Sequence, residues 1–467
     1  MEEFAELAIK HALKLGAKYA EARLENTSGT SFALNNGILQ GSSFGESTGL
    51  GIRILANNTI SCASTNIISA ESIKNAVKRA LDFAENNTRK TNLKFAEAPA
   101  VKFKHELKQR KNILDIEPDE KIAFLKQLDS SLLKCKVVPS RNFGLSDGII
   151  KNLFVNSEGT KIETIKPMVN LFYVFTVQEN ANTMQRMWQY GATKGWEIID
   201  KWNLQQILPE EAKAISKTLK FGVKAPSEKV DVVVGPQVSG IIAHESCGHP
   251  FEADRIFGRE AAQAGESWIN LAMLGNKLGS EAVNLVDDPT IENSYGFYTY
   301  DDEGVKAKRK YLIKSGKISE FLHNRESAGA MGIKSNGSAR ASEYDKEPLV
   351  RMSNTFFEPG KQSEQELIES IKKGVYFKSF MEWNIDDKRY NNRYVSSEAY
   401  LIDNGKLTKP VKSAVFEITT PALYAAIDAV ANNFELHAAT CGKGEPMQGM
   451  PVTHGGGSLR LRGIKLK

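Results

Sequence analysis

Apolar residues recur at helical spacing at the start of the chain (Phe4, Leu7, Ala8, Ala12, Leu15), with His11 among them and Gly16 closing the helix. From Tyr19 the period shortens to two. Strand-like runs follow over 19–24, 30–34, 38–44 and 49–55, and Asn35-Asn36-Gly37 between two of them predicts a hairpin turn. A helix over 70–86 presents Ile73, Ala76, Val77, Ala80, Leu81 and Ala84 on one face. Residues 87–112 are polar and read as a connection. Pro118 and the acidic pair Asp119-Glu120 start a helix that runs to about 134. Strands are then expected at 136–138, 143–145, 149–155, 160–177 and 184–190, with Asn156-Ser157-Glu158-Gly159 as a turn. A helix over 196–219 is expected to break at Pro209.

Pro226-Ser227-Glu228 marks a boundary. Val232-Val233-Val234 then leads through the turn Gly235-Pro236 into a helix from Gln237 to Cys247. Residues 253–274 read as mostly helical. Beyond Glu281 the pattern changes to short strands at 284–286, 295–300, 310–315, 318–323, 349–354, 376–383, 394–402 and 459–464. A helix is expected over 422–431, and Cys441 begins a glycine-rich loop. No regular βαβ alternation appears, so the fold class is α+β. The expected organisation is an N-terminal α/β-type region of helices and antiparallel sheet over 1–225, with subregions of about 1–90 and 113–222 joined by the polar connection. A C-terminal β-rich domain, curved or barrel-like, follows over 226–467 and carries the helix of the Val run.

Composition narrows the function classes. Hydrophobic residues make up 41% and charged residues 25% of 467 positions, and the net charge is +5, ordinary values for a globular protein. No basic block or aromatic-basic stripe points to nucleic acid. No apolar run approaches the roughly 20 residues of a membrane span, and the acidic start Met1-Glu2-Glu3-Phe4 lacks the features of a signal peptide. Four dispersed cysteines form no disulfide framework. A cytoplasmic protein with reduced thiols is expected.

The chemistry concentrates at His244-Glu245-Ser246-Cys247-Gly248-His249-Pro250. A hydrolytic zinc site needs nitrogen or thiolate ligands, an open coordination position and a carboxylate near the bound water. In H-E-x-x-H the two ligands lie four apart on one helix face. Here they lie five apart, roughly 140° around a straight helix, which does not converge on one ion. The helix must break or absorb a residue as a π-bulge. Gly248 can end it, and Pro250 disfavours the α region at His249.

A third ligand must come from elsewhere, with His323, His437, His454, Cys441 and the acidic residues as candidates. Cys441 lies in Thr440-Cys441-Gly442-Lys443-Gly444-Glu445-Pro446-Met447-Gln448-Gly449-Met450-Pro451-Val452. With H-E-x-x-x-H, this loop resembles the TldD/PmbA family of metalloproteases. Tyr19 to Arg23, Gly49 to Arg53, Asn156 to Gly159, Tyr300 to Gly304, Arg351 to Thr355 and Glu398 to Lys406 extend the resemblance over nearly the whole chain. It implies one Zn2+ held by His244, His249 and Cys441, Glu245 as the base, and a catalytic, TldD-like member. It also implies a homodimer, or a heterodimer with a paralogous subunit, enclosing a cleft for unfolded peptides. The chain departs from the family pattern around Met381 to Arg389, which is unusually charged, and at His454-Gly455-Gly456-Gly457.

His454, Tyr300 and Arg351 are candidates for contacting substrate or the developing oxyanion, and His454 fits a surface loop equally well. Cys247 is expected to pack against the apolar strand. Gly49 and Gly51 are expected to serve packing, lacking the helix that a phosphate loop needs. Asp301-Asp302-Glu303 reads as an acidic turn or a hard-cation cluster. Two other functions fit the same residues: a non-catalytic partner or peptide-binding subunit, and a zinc amidase acting on small molecules. An added-strand mode of substrate binding would read the backbone of unfolded peptides.

Overall fold

Two long strands organise the first half: β1 (Tyr19–Asn35) and β2 (Ile38–Ala56). The turn between them has Asn36 and Gly37 at φ 46° and 80°, the left-handed pair that two-residue hairpins favour. β3 (Thr59–Thr65), β4 (Lys102–Glu106), β5 (Ser140–Asn156), β6 (Lys161–Glu179) and β7 (Asn182–Ala192) complete a seven-stranded sheet. Its order is β3-β2-β1-β5-β6-β4, with β7 also on β6. This computed structural model describes residues 2–87, 93–260 and 266–467.

The runs 19–24 and 30–34 are one strand, as are 38–44 and 49–55. The polar residues between them stay in the ladder because β1 pairs along its whole length with β2 and for residues 21–35 with β5. Backbone pairing, not burial, sets these strand lengths. The connection at 87–112 contains β4, which pairs in parallel with the start of β6. Helices α1 (Glu2–Lys14) and α2 (Ala70–Asn86) bury their apolar faces against the β1–β2 end of the sheet. Helices α3 (Pro118–Leu133) and α4 (Leu204–Phe221) pack on the sheet further along. The expected break at Pro209 does not occur. The helix begins anew at Asn203 (φ 48°) and runs through the proline. Burial of Leu204, Leu208, Ala212, Ile215 and Leu219 outweighs a proline cost of about 3 kcal/mol.

Among the described residues the second half holds two further large sheets and one two-stranded sheet. One large sheet contains β8 (Lys229–Val234), and the other β9 (Leu285–Asp287), β10 (Lys310–Lys314) and β11 (Lys317–Ile318). β12 (Ala339–Arg340) and β13 (Leu349–Val350) pair only with each other, and β14 (Asn354–Phe357) follows. Next come β15 (Lys373–Ile385), β16 (Asn391–Asp403), β17 (Lys406–Pro410), β18 (Val415–Thr419) and β19 (Ile427–Val430). β20 (Glu435–Lys443), β21 (Gln448–Gly456) and β22 (Leu459–Lys465) end the chain. The orders are β11-β10-β9-β14-β21-β20 and β17-β16-β15-β8-β22-β19, with β18 on β16. The class is α+β, with a β-rich, curved second half.

Several local expectations are corrected here. Residues 295–300 form no strand, and the described part of 253–274 contains only a short helix at Ala253–Ile256 and a 3-10 turn at Leu271–Met273. Residues 261–265 of that stretch lie outside the described residues. The helix expected over 422–431 runs from Thr420 to Ala426 and gives way to β19. Cys441 sits within strand β20, not in a loop. Gly442 pairs with Gly449 across the β20–β21 hairpin, so the glycines belong to the ladder.

The two halves meet along a buried polar seam. Arg53 bridges Glu21 (2.8 Å) and Glu303 (2.6 Å), all with side chains at most 4% exposed. Glu303 also accepts the Arg325 N–H, and Asp301 accepts backbone N–H groups of Glu303, Val305 and Ala339. The acidic turn is thus a structural joint whose carboxylates are already occupied. Gly49 and Gly51 lie under the Tyr344 segment, where a Cβ on Gly51 would meet the Tyr344 carbonyl oxygen at 1.7 Å. Packing explains both glycines. Gly51→Ala is expected to lower stability by about 1–3 kcal/mol, read as a lower urea midpoint; an unchanged midpoint would show that the halves do not close there.

Candidate metal centre

Three buried β8 valines anchor the approach, and Gly235-Pro236 starts helix α5 (Pro236–Ala243). Gly240 lets α5 lie against β21, since a Cβ there would meet His454 Nδ1 at 2.4 Å and Gly455 backbone at 3.0 Å. The helix then widens into a π turn over His244–Gly248, with the His249 N–H donating to the His244 carbonyl, five residues back. The inserted residue turns both imidazoles to one side. Their ring centroids are 4.9 Å apart. His249 nonetheless keeps right-handed helical backbone (φ −62°, ψ −47°), so Pro250 does not expel it. Pro250 instead occupies the first turn of a 3-10 segment, His249–Phe251, where its missing N–H costs no hydrogen bond.

Cys441 reaches the pair from β20, with Sγ 3.3 Å from His249 Nε2. Donor atoms of His244, His249 and Cys441 all lie within 4.8 Å of one another, the one such His/Cys/Asp/Glu group among the described residues. Burial alone would raise the Cys441 pKa, but His249, His244 and Arg351 outweigh it and hold it well below the ordinary thiol value. The group therefore tends toward thiolate, the form that binds metal. Burial would lower the His249 pKa, yet Cys441 and Glu252 raise it. The pocket thus favours positive charge at that imidazole. Buried His244 Nδ1 has no hydrogen-bond partner. A soft thiolate, two imidazoles and an unsatisfied nitrogen fit a divalent metal ion.

A second layer orients these groups. His249 Nδ1 lies 3.1 Å from Glu252 Oε2, leaving Nε2 to face Cys441. Fully buried Glu252 is held by Arg255 and Lys443, each at 3.1 Å. Its pKa is well below the usual range: burial opposes ionisation, but Lys443, His249 and Arg255 prevail. Lys443 shares a β20 face with Cys441, so one strand supplies both a ligand candidate and the cation holding the other ligand's carboxylate. Such partners fix an imidazole's tautomer and orientation.

Glu245 borders the cleft beside the triad. Its Oε1 accepts the Trp383 indole N–H at 3.1 Å. Oε2 is buried without a hydrogen bond, and Arg389 Nη1 stands 3.4 Å from it. Burial would raise the Glu245 pKa, but His249, Arg389, His244 and Trp383 lower it. The result is an ionised carboxylate with one oxygen that makes no hydrogen bond and stands against the Arg389 guanidinium.

The other candidates separate. His454 lines the cleft, its ring 6.1 Å from that of His244, and burial, His244 and His437 push its pKa well down. It is a buried strand residue, not a surface loop residue. Arg351 is fully buried and donates to the carbonyls of Cys441 and Gln448, so it braces the hairpin instead of facing the cleft. Tyr300 packs on Phe103 and lines a separate cavity of about 120 Å³. Cys247 is buried in the core, its pKa raised by burial, and it does not join the triad. His323 is buried elsewhere, its pKa pushed down to about 4 by burial. Glu252, Lys443, Trp383 and Arg389 were missed in the sequence. Glu252 three residues beyond His249 and Lys443 two beyond Cys441 were detectable by spacing; Trp383 and Arg389 come from a charged segment more than a hundred residues from Glu245 in sequence, which no local spacing ties to it.

The triad and Glu245 open onto a cleft of about 570 Å³ walled by Phe172, Met187, Trp188, Ile241, Phe380 and Trp383. β20 is the outermost strand of its sheet, and its residues 438–442 form one side of the cleft.

Comparison with known proteins accords with this geometry. Residues 227–467 match the PmbA/TldA metallopeptidase C-terminal domain, 20–84 match domain 1, and 111–220 match the central domain. A metalloprotease of Methanocaldococcus jannaschii is 31% identical over 97% of both chains. A metalloprotease TldD homolog of Haemophilus influenzae is 28% identical over 95% of this chain and 91% of its own. Among solved structures, TldE from Thermococcus kodakarensis superposes with a TM-score of 0.77 at 18% identity, covering 99% of both chains. A Thermotoga maritima structure gives 0.79 at 19% identity over the full length of both; at such identities the likeness speaks for the fold. From the family domains that span it and its full-length metalloprotease relatives, the chain belongs to the PmbA/TldD metallopeptidase family.

Proposed function

We propose that the protein is a zinc-dependent peptidase that hydrolyses unfolded or small peptides, with His244, His249 and Cys441 as ligands and Glu245 as general base. The observation that carries this reading is the buried Oε2 of Glu245, which makes no hydrogen bond, beside the converging triad. Three ligands suit a catalytic zinc, whereas a structural zinc closes its shell with four. When bound, zinc would polarise the scissile carbonyl and lower the pKa of a water molecule. Glu245 Oε2 accepts that water's proton and passes it to the leaving amine, while Trp383 holds Oε1. Glu252 keeps His249 oriented, and Lys443 keeps Glu252 ionised.

Substrate enters along β20, which among the described residues is paired in a ladder on one side alone, with β21, and lies beside β7, whose Gln189 donates to Thr440. A peptide added there is read by its backbone, which selects unfolded chains over particular sequences. This favours a peptidase over an amidase for compact small molecules. We further propose that the protein works in the cytoplasm, as a homodimer or with a paralogous subunit, as the family resemblance implies. No helix among the described residues is long and apolar enough to cross a membrane.

Glu245→Gln is expected to lower peptide cleavage about 10²–10⁴-fold with zinc content unchanged; undiminished cleavage would remove Glu245 as the base. Stoichiometric zinc with no cleavage by wild type would favour a partner-subunit role. After dialysis, elemental analysis should find zinc lost from Cys441→Ser and retained by Cys247→Ser. Glu252→Gln should weaken zinc binding about 10–100-fold, read by competition with a chromogenic chelator. Denatured casein should be cleaved well ahead of a tightly folded protein, and equal cleavage would count against the added-strand mode.

A further inference from the structure

Arg389 is the one lysine or arginine among the described residues lining the cleft. Its side chain is only 13% exposed, and its only ion pair among the described residues is with Glu245 at 3.4 Å. Buried Nε has no hydrogen-bond partner. A guanidinium has five N–H donors in a planar fork suited to a carboxylate. Here it is largely removed from water, and Glu245, its sole counter-ion, is the group needed for proton transfer. Such an under-partnered cation costs free energy unless a ligand meets it.

Its backbone is fixed in position. The Arg389 N–H donates to the Asp386 carbonyl at 2.9 Å, and its own carbonyl accepts from Thr420 Oγ1 at 2.7 Å. Asp386 also accepts the backbone N–H groups of Tyr390 and Asn391. This turn holds Arg389 at φ 63°, a conformation that a bulky residue rarely adopts without external constraint. The side chain is thereby aimed at the base.

Extended peptide advances about 3.3–3.6 Å per residue. A guanidinium touching the general base therefore lies within one or two residues of the reacting carbonyl, on the leaving-group side if it meets a terminal carboxylate. The same cleft is lined by the apolar groups Trp383, Phe380, Trp188 and Ile241.

Resting on the peptidase reading above, we propose that Arg389 binds the free α-carboxylate of the substrate, making the protein a carboxypeptidase for peptides with apolar C-terminal residues. The water oxygen bonds to the scissile carbonyl carbon and the C–N bond breaks. The amine of the terminal residue leaves with the proton that Glu245 accepted, so water is the only co-reactant. Arg389 reads the carboxylate, and the aromatic walls take the terminal side chain.

The test compares an N-acetylated tripeptide ending in phenylalanine with its C-terminal carboxamide on the zinc-loaded protein. Wild type should favour the free acid in kcat/KM by about 10- to 150-fold, the worth of a charged hydrogen-bonded pair. Arg389→Gln should bring the ratio near one through KM, and Arg389→Lys should keep part of it, having the charge without the fork. Equal cleavage of both peptides by wild type, or an equal kcat loss on both in Arg389→Gln, overturns the proposal and leaves Arg389 as a positioning residue for Glu245. Cleavage of neither peptide, with casein also intact, counts against the peptidase reading instead. Calorimetry on metal-free protein then decides on Arg389 alone: the acid should bind more tightly than the amide in wild type and equally in Arg389→Gln, and no difference in wild type overturns the proposal.

Discussion

The hydrogen bond from the His249 N–H to the His244 carbonyl is the contact on which the centre depends. An α-helical register would point the two imidazoles away from each other. One added residue in the turn brings their centroids to 4.9 Å, and the backbone must hold that less favourable geometry. Close packing does so. A Cβ on Gly248 would meet Met352 Sδ at 1.7 Å, Ser246 Oγ bonds to Asn392 and Tyr394, and Cys247 is sunk in the core. Ser246, Cys247 and Gly248 thus each have a structural reason to be where they are.

The π turn also divides labour between sheets. β8 delivers the helix from one sheet, while β20 delivers Cys441 from the edge of another. Their meeting is secured by charges that do not face the cleft: Lys443 to Glu252, Glu252 to His249, and Arg351 to the Cys441 carbonyl. Buried ions are costly unless well paired. Here Lys443 and Glu252 pair with each other and Glu252 touches His249, so the same free energy that stabilises the joint also sets the ligand geometry.

Much of this was legible from residue pattern. The Asn36-Gly37 turn, the face of the 70–86 helix and the need for a break or bulge between His244 and His249 all followed from local rules. Strand lengths did not, because Thr27 to Gly29 and Gly45 to Thr48 gain order from cross-strand pairing, which a single run does not display. Pro209 misled because its local cost is smaller than the burial along that helix. Cys441 looked like a loop residue because its neighbouring glycines pair across a hairpin. The metal triad could be assembled through family resemblance, but the partners of Glu245 could not: Trp383 and Arg389 reach it from a segment distant in sequence, and only the folded chain brings them together.

X-ray absorption at the zinc edge of the zinc-loaded protein tests the proposed centre most directly. Two nitrogen scatterers at about 2.0–2.1 Å and one sulfur at about 2.3 Å, with a light atom in the remaining position, are predicted. A shell with no sulfur, or one closed by two sulfurs and two nitrogens, would contradict the assignment of His244, His249 and Cys441 to an open catalytic site.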